Sequence, residues 1–511
     1  MALNNLFKSF GFTETDLRRL SDYGITDHGL SQRLNNYKRG FPSLDINRPA
    51  TSGDGVLTLE DDIINELGRN YARDLSHWEV CKFVPASGAA SRMFQDLVWH
   101  LQHGDDAEIA QKFLDELPRL ALYQDLAKSL DSAGSSIDQL IATKDYTKVL
   151  HHLTEEMAIQ DLPKALIPFH RTSTGSRTAF DEHLTEAVAY ARSEDRILVH
   201  FTVSSGHLST FENYLKKIRE GFSQRHQLSL EVSYSIQHPS TDMVAIGSDN
   251  RVIRDVDGSV WLRPGGHGAL LRNLNEIQAD LIFIKNIDNV MPEHLQDPMI
   301  AYKQALGGLL LFHQQKVFRY LMDIEAGKIE VSGVAELIRY IEMYLGTRFD
   351  SAFHSLNFGQ QLERLFDTLN RPLRVCSVIK ANQPTGGGPF WVGQSNGQQS
   401  LQIVEHAQLS AAQTQLESSY AHITDLVCAV RNYKGEKFDL SQYSDATTGF
   451  ITSKWYRGTM IQAQEWPGLW NGSMAYWNTI LLEVPGSIFH PVKTIWDLLS
   501  DGHQSVNQRS A

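Results

Sequence analysis

The sequence predicts an α/β fold: a Rossmann-like mixed sheet, mostly parallel and flanked by helices, with a helical N-terminal region and helical insertions. Two observations favour this class. Short apolar segments, such as residues 197–203 and 280–285, alternate with stretches of helical periodicity, which is the pattern of strands joined by crossover helices. Turns of small residues, at 86–92 and 264–268, lead into helical segments, where a helix N-terminus favours an anion.

Composition sets the class of protein. The chain has 511 residues, of which 42% are hydrophobic and 21% charged, as in soluble proteins of more than one domain. Its formal net charge of −13 argues against sequence-independent nucleic-acid binding, which requires a basic surface. Three scattered cysteines without a CxxC motif indicate buried thiols in a reducing compartment. Because neither a signal-peptide pattern nor a long apolar run is present, we expect a cytoplasmic protein without a membrane partner.

Periodicity and turn-forming residues divide the chain into successive parts. The predicted parts are a helical N-terminal region at 1–76, a core at 77–298 with a helical insertion at 100–160, a second helical insertion at 299–370, the C-terminal part of the core at 371–502, and a tail at 503–511. The predicted core strands lie near 80–85, 197–203, 229–236, 281–285, 373–379 and 479–484.

The first candidate site element is the turn that follows the strand predicted near 80–85. Small residues let backbone N–H groups approach a ligand there, and an arginine adds a forked, charged donor suited to phosphate. We therefore predict a phosphate-binding turn formed by Ser87, Gly88, Ala89, Ser91 and Arg92. It is not a Walker loop, since no Gly-Lys-Ser/Thr follows. An ordinary strand-to-helix turn with a surface arginine would give the same pattern.

Lys164 is the second candidate, because it lies between Pro163 and Pro168. Two prolines favour an extended segment, and a rigidly held ammonium group suits a phosphate oxygen. A solvated loop lysine is the alternative interpretation.

A second turn, R-P-G-G-H-G, supplies the next candidates. Glycines are needed where a backbone passes against a flat base or a phosphate. We assign Gly265, Gly266 and Gly268 to nucleotide binding, together with His267 and with Gln237 at the end of a predicted strand. A histidine in such a loop is more typical of a hydrogen-bonding residue than of a catalyst.

Asp288 follows the apolar segment 280–285 and precedes Asn289. A carboxylate facing anionic ligands makes sense chiefly if a divalent cation lies between them, and Mg²⁺ takes one or two carboxylates together with substrate phosphates. We therefore predict Mg²⁺ as the cofactor and Asp288 as its ligand. A turn formed by the Asp-Asn pair is the alternative.

These elements together resemble the sugar nucleotidyltransferases, and in particular the UDP-sugar pyrophosphorylases. The first turn resembles G-G-x-G-T-R-[LM], with Ser87 and Ala90 in place of two glycines, and Lys164 stands at the lysine of P-K-x-L-[IL]-P. The second turn resembles P-x-G-x-G, and Asp288 and Asn289 resemble the end of a strand-terminal V-D-N.

Two C-terminal segments extend the resemblance. The segment L-Q-I-V-E, which ends at Glu405, resembles V-V-E-Y of the N-acetylhexosamine-1-phosphate uridylyltransferases, in which the glutamate accepts hydrogen bonds from sugar hydroxyls. Residues 489–499 closely resemble F-x-P-V-K-T-x-x-D-L-L, in which the lysine, here Lys493, contacts phosphate. As a whole, the chain is identified as a member of a bacterial family of unknown function that is distantly related to these enzymes.

The resemblance implies a nucleotide-diphospho-sugar transferase fold and a pyrophosphorylase reaction. A sugar 1-phosphate attacks the α-phosphorus of a nucleoside triphosphate, with UTP as the expected nucleotide, and pyrophosphate leaves. Since the attacking group is already an anion, catalysis rests on positioning and charge neutralisation, for which the resemblance designates Arg92, Lys164 and Lys493. The sugar-binding residues that it implies are Glu405, Asn289 and Asn478.

Two other functions fit the same sequence. One is a non-catalytic regulatory protein that binds a nucleotide or sugar nucleotide, which the Ser87 and Ala90 replacements favour. The other is a structural scaffold on the same fold, since fold alone does not determine function. A scaffold has no use for Lys164 and Lys493 at one site, so the two lysines favour a ligand-binding role.

Overall fold

Helices and strands alternate along most of the chain in the computed structural model, which describes residues 4–103, 107–173, 175–381, 387–410 and 413–504. The α-helices are α1 Asn5–Ser9, α2 Glu14–Asp22, α3 Asp27–Arg39, α4 Asp61–Asp74, α5 Gln95–His103, α6 Ala107–Glu116, α7 Tyr123–Ser132, α8 Ile137–Ala142, α9 Tyr146–His151, α10 Ala179–Tyr190, α11 Leu208–His226, α12 Leu271–Glu276, α13 Asp297–Glu325, α14 Val331–Tyr344, α15 Ser351–His354 and α16 Phe358–Leu369.

The strands lie between and after these helices. They are β1 Ile46–Pro49, β2 Thr51–Ser52, β3 Gly55–Leu57, β4 Val80–Pro85, β5 Pro168–Thr172, β6 Gly175–Thr178, β7 Arg192–Ser193, β8 Arg196–Val203, β9 Ser229–Ile236, β10 Met243–Gly247, β11 Leu262–Arg263, β12 Leu281–Lys285, β13 Thr347–Arg348, β14 Leu373–Lys380, β15 Gly388–Gly393, β16 Gln399–Val404, β17 Tyr420–Ala429, β18 Phe450–Tyr456, β19 Thr459–Glu465 and β20 Asn478–Glu483.

The chain divides into two units. The first contains residues 1–63, 236–282 and 306–484, and the second contains residues 64–235, 283–305 and 485–511. Each unit thus draws on distant parts of the sequence.

The second unit is built around β4 and β8, which pair in parallel. β7 pairs antiparallel with β8 at one side, and β12, whose last three residues belong to this unit, neighbours β4 at the other. Aromatic side chains pack α10 and α11 against β8: the rings of Phe180 and Phe201 stack at 4.5 Å, and Phe211 contacts both. This is the strand–helix alternation that the apolar pattern predicts.

The first unit has β14 at the centre of its largest sheet. β20 pairs with β14 in parallel, whereas β17 pairs with it antiparallel. Two further sheets, in the orders β1-β15-β16-β13 and β11-β10-β19-β18, are antiparallel throughout. The expected α/β class is therefore correct, but a mostly parallel sheet is not confirmed. Strands that are buried on both faces show a continuous apolar run whether they are parallel or antiparallel, so the sequence does not reveal their direction.

The N-terminal helices have recognisable starts. Thr13 caps α2, and the Asp16 carboxylate accepts the Thr13 backbone N–H, as in a capping box. Apolar residues of α1 to α3 then pack on β10; the buried cluster includes Phe7, Leu17, Leu30 and Val244. None of the helices in the described ranges is both long and apolar enough to cross a membrane.

The end of the chain differs from expectation. His503 and Gln504, which the sequence assigns to a tail, are only 4% and 5% exposed. The remainder of the predicted tail, residues 505–511, lies outside the described part.

Candidate active site

The turn after β4 is open to solvent. β4 ends at Pro85, a single 3-10 turn spans Ala90–Arg92, and α5 begins only at Gln95. Ser87, Gly88, Ala89, Ser91 and Arg92, the predicted phosphate-binding residues, are all exposed. An added Cβ at Gly88 would meet nothing within 4 Å. The chain thus leaves room over this turn, although no long helix starts directly at it.

The segment that carries Lys164 runs alongside this turn. The Ala90 N–H donates to the Leu162 carbonyl at 2.9 Å, and the Lys164 N–H donates to the Gly88 carbonyl at 3.1 Å. Ala89 and Pro163 form an antiparallel bridge. We expected an extended segment from its two prolines, but Lys164–Leu166 form one 3-10 turn. The two predicted elements are nevertheless adjacent.

Asp288 joins two of the predicted catalytic cations. The Nζ atoms of Lys164 and Lys493 each lie 3.0 Å from Oδ2 of Asp288, and Lys164 also donates to the Val492 carbonyl. The side chains of Lys164 and Asp288 are 13% and 11% exposed, whereas that of Lys493 is 67% exposed. Lys164 is therefore largely buried, whereas Lys493 is exposed and contacts Asp288 from the surface.

The electrostatics of this trio are mutually dependent. Burial lowers the pKa of the Lys164 ammonium group, and Lys493 adds to that effect, while Asp288 opposes it. Burial alone would raise the pKa of the Asp288 carboxyl, but the ammonium groups of Lys164 and Lys493 outweigh burial and hold that pKa below its usual value. Asp288 is thus a carboxylate that compensates two positive charges.

Lys493 is carried by residues 489–499, which we call the strap. The Val492 N–H donates to the Asp288 carbonyl at 3.0 Å, and the Ile495 N–H donates to the Met93 carbonyl at 3.0 Å. Asn289 and Pro491 form an antiparallel bridge. Backbone contacts therefore fix the strap to the end of β12 and to the first turn.

Asp497, the aspartate of the F-x-P-V-K-T-x-x-D-L-L motif, holds the backbone of the strap, a role that the motif alone did not assign to it. Its Oδ2 accepts the N–H groups of Lys493 and Thr494, each at 2.7 Å. The spacing Thr494-x-x-Asp497 is the capping pattern of a helical turn, which here starts at Ile495. The Thr494-x-x-Asp497 spacing was the sequence signal that could have predicted this role of Asp497.

Arg92 is the third predicted catalytic cation. It is exposed, and no hydrogen bond or ion pair of its side chain is found among the described residues. Its turn is nonetheless next to the strap, through the contact between Met93 and Ile495. The structure brings Lys164 and Lys493 together, and the catalytic role of Arg92 stays a prediction.

In the first unit, His267 and Glu405 form the centre of a separate group. The Leu469 N–H donates to Nδ1 of His267 at 3.0 Å, so a neutral His267 carries its proton on Nε2 and donates it to Glu405 Oε1 at 3.2 Å. The ring of Trp470 stacks on that of His267, with centroids 4.2 Å apart. The predicted sugar residue Glu405 and the predicted nucleotide residue His267 are therefore direct partners.

The glycines of the second turn lie against the segment after β19. An added Cβ at Gly265 would collide with the indole ring of Trp466, one at Gly268 with the Pro467 carbonyl, and one at Gly266 with the Glu465 carboxylate. Gly266 also has a φ of +81°. Packing within the chain is thus sufficient to require glycine at these positions.

The remaining predicted residues make local contacts. Gln237 donates to Oδ1 of Asp242 at 3.0 Å. Asn478 is 1% exposed and donates to the Leu369 carbonyl at 3.2 Å. Asn289, in the second unit, is also 1% exposed, and its Oδ1 accepts the His490 N–H at 3.3 Å. Both asparagines therefore support backbone, one at the start of β20 and one under the strap.

Comparison with solved structures gives several similar proteins. Uridine diphosphate N-acetylglucosamine pyrophosphorylase from Trypanosoma brucei, in complex with an inhibitor, is 11% identical; the match covers 97% of this chain and 80% of that chain, with a TM-score of 0.48. A mutant of UDP-glucose pyrophosphorylase from Leishmania major is 12% identical, with 98% and 82% covered and a TM-score of 0.46. No curated protein matches the sequence. A family model described as "Domain of unknown function (DUF4301)" matches residues 13–504, and the chain belongs to that family, as expected.

Proposed function

We propose that the protein is a sugar-1-phosphate nucleotidyltransferase, which joins a nucleoside triphosphate to a sugar 1-phosphate and releases pyrophosphate. The observation that carries the proposal is the meeting of Lys164 and Lys493 at one oxygen of Asp288. Two ammonium groups held this close need an anion, because like charges otherwise repel. Asp288 supplies part of that negative charge, and a phosphate group bound beside it would supply the rest.

The surroundings of the trio suit a triphosphate. The turn at 87–92, exposed except at Ala90, offers open space at Gly88 beside Lys164 and the strap. In the proposed arrangement Arg92 binds the β- and γ-phosphates, while Lys164 and Lys493 bind the α-phosphate and the sugar phosphate. Neutralising the charge on the reacting phosphoryl group and aligning the two substrates are the main contributions to such a reaction. No general base is required, since the attacking oxygen is already an anion.

UTP and a hexosamine or hexose 1-phosphate are the substrates that we propose first. They follow from the motifs around Glu405 and Lys493 rather than from the geometry alone. Glu405 would accept hydrogen bonds from sugar hydroxyls. The three cysteines are free and buried, which supports a cytoplasmic location.

Mg²⁺ fits the trio as an ion brought by the nucleotide. Among the described residues, no three His, Cys, Asp or Glu side chains converge on one point, so Asp288 would hold the ion together with phosphate oxygens, as is common for Mg²⁺. Both lysines contact Oδ2 of Asp288, and Oδ1 is the oxygen that we assign to the metal. The ion would add positive charge beside the transferred phosphoryl group.

The proposal is tested by measuring pyrophosphate release from a panel of nucleoside triphosphates and sugar 1-phosphates, with Mg²⁺ and with chelator. We expect turnover with one pair, loss of turnover in chelator, and strong loss in Lys164→Met. Lys148→Met is the matched control, because Lys148 is an exposed lysine of the same unit. Tight binding of a nucleotide or sugar nucleotide without any pyrophosphate release would instead favour the regulatory alternative.

A further inference from the structure

The N-terminal end of the strap is held by a chain of buried polar groups that the proposed reaction does not use. His503 Nε2 lies 3.0 Å from the His490 carbonyl, and His503 Nδ1 lies 2.8 Å from His170 Nε2. His170 Nδ1 lies 2.9 Å from Glu182 Oε1, and Glu182 Oε2 accepts from Gln296 Nε2 at 3.2 Å. The side chains are almost fully enclosed: Glu182, His170 and His503 are 1%, 2% and 4% exposed.

The directions of these hydrogen bonds follow from their ends. A backbone carbonyl only accepts, so His503 Nε2 donates to His490, and a neutral His503 then accepts at Nδ1. His170 must therefore donate from Nε2 and accept at Nδ1. Glu182 is left as the donor to His170, which makes it a protonated carboxyl whose other oxygen accepts from Gln296. Every group in the chain is then satisfied without a net charge.

The electrostatic environment agrees with this assignment. Burial raises the pKa of Glu182 to about 8, although the Arg177 guanidinium, 3.8 Å from Oε2 of Glu182, opposes that shift. Burial also lowers the pKa of His170 to about 3 and that of His503 to about 3. Asp181 and Glu186, on the same helix as Glu182, also act on the chain of polar groups. The titratable and charged groups that act on it from other elements are Arg177, Glu293, His294, His490 and Asp497.

We propose that Glu182, His170 and His503 form an anchor that positions Lys493. The proposal rests on the proposed function in one respect, namely that Lys493 binds a substrate phosphate. The anchor holds the strap at both ends: His503 bonds to His490 at its start, and Gln504 Nε2 donates to the Leu498 carbonyl at 2.6 Å near its end. Lys493 lies between these two points. The three anchor groups are positioning residues and touch no reacting atom.

Residues 502–504 pack so closely against the strap that the size of residue 502 matters. An added Cβ at Gly502 would collide with the imidazole ring of His490. Only glycine therefore lets residues 502–504 return to the strap without displacing His490. Gly502→Ala disturbs the anchor without removing any of its hydrogen-bonding groups.

The anchor is tested by hydrogen exchange of the strap amides in the full-length protein, together with steady-state kinetics. We expect His503→Phe and Gly502→Ala to speed exchange of residues 489–499 by about tenfold, the effect of one buried hydrogen bond, and to raise KM for the sugar 1-phosphate. His313→Phe is the matched control, because it also removes a buried imidazole, which bonds to Tyr340 at 2.8 Å. Unchanged strap exchange in both anchor variants would refute the anchor, whatever the activity.

The hydrogen-bond directions have their own test. Glu182→Gln keeps a donor for His170 and an acceptor for Gln296, so it should leave strap exchange and turnover near wild type at pH 7. We expect wild-type Glu182 to lose its proton as the pH rises past about 8. His170 would then have to donate to Glu182, and His503 would present a lone pair to the His490 carbonyl. Strap exchange, corrected for the intrinsic rate, should rise above pH 8 in the wild type and stay flat in Glu182→Gln. A large loss in Glu182→Gln at pH 7 would show an ionised pair and overturn the assignment.

These measurements separate the two proposals. Lys493→Ala should lower turnover without changing strap exchange, since its backbone contacts stay. If no substrate pair is turned over by the wild type but exchange responds to His503→Phe, the anchor stands and the proposed reaction fails. If turnover is normal and strap exchange does not respond to His503→Phe, the proposed reaction stands and the anchor is refuted.

Discussion

Lys493 Nζ lies 3.0 Å from Asp288 Oδ2 although the Lys493 side chain is 67% exposed. An exposed ion pair of this kind contributes little to stability, typically below about 1 kcal/mol. A ligand that both groups approach would explain why the two groups lie together. The lysine can swing between the carboxylate and a phosphate at small cost.

The first prediction is that Lys493→Ala impairs turnover far more than stability. Losing one charge-assisted contact to a phosphate in the transition state should cost about 2–4 kcal/mol, or roughly 30- to 1,000-fold in rate. The free energy of unfolding should change by less than about 1 kcal/mol. Pyrophosphate release and urea unfolding measure the two quantities, with Lys148→Ala as control. Equal turnover in the two variants would remove the strongest support for a phosphate-binding role.

The second prediction concerns Asp288 and pH. Its pKa is lowered in the folded protein, so its contribution is present above the unfolded value near 3.9 and is lost as pH falls through the folded value. Asp288→Asn leaves the enclosed Lys164 without its carboxylate and should cost about 3 kcal/mol at neutral pH. The difference from wild type should shrink below about pH 4. Denaturant unfolding between pH 3 and 7 measures it; a pH-independent difference would contradict the ion-pair account.

The third prediction compares two glycines. Gly88 faces open space, whereas an added Cβ at Gly268 would meet the Pro467 carbonyl. Gly88→Ala should change stability by no more than about 0.5 kcal/mol, and Gly268→Ala should destabilise by several times that amount. If a triphosphate lies on the first turn, Gly88→Ala should still raise KM for the nucleotide. A variant with unchanged stability and unchanged KM would argue that the turn does not touch the nucleotide.

The meeting of Lys164 and Lys493 is the part of the candidate site that short motifs could predict. Lys164, Asp288 and Lys493 each stand in a recognisable pattern, and the structure brings them to one point. Strand direction was not predictable, because β14 and β17 are buried and apolar in the same way as a parallel pair. Only the tertiary connections decide it.

Contacts between distant parts of the chain account for what the sequence did not reveal. His503 stands in a polar stretch typical of a tail, and its burial depends on His170, 333 residues away. Gly265 looks like a ligand-binding glycine, yet Trp466 occupies the space beside it. A pattern can indicate that a small residue is needed, but it does not identify the group that requires the space.

The last prediction tests the sugar role of Glu405. His267 donates to Oε1 of Glu405, and that donor is fixed because Nδ1 of His267 accepts the Leu469 N–H. Glu405→Gln keeps an oxygen for His267 but loses the charge that strengthens hydrogen bonds from sugar hydroxyls. We therefore expect KM for the sugar 1-phosphate to rise about tenfold, the effect of roughly 1.4 kcal/mol, while KM for the nucleotide stays unchanged. Glu436→Gln, an exposed glutamate of the same unit, is the control. If Glu405→Gln instead raises KM for the nucleotide alone, the His267–Glu405 pair belongs to nucleotide binding, and the sugar must be recognised elsewhere.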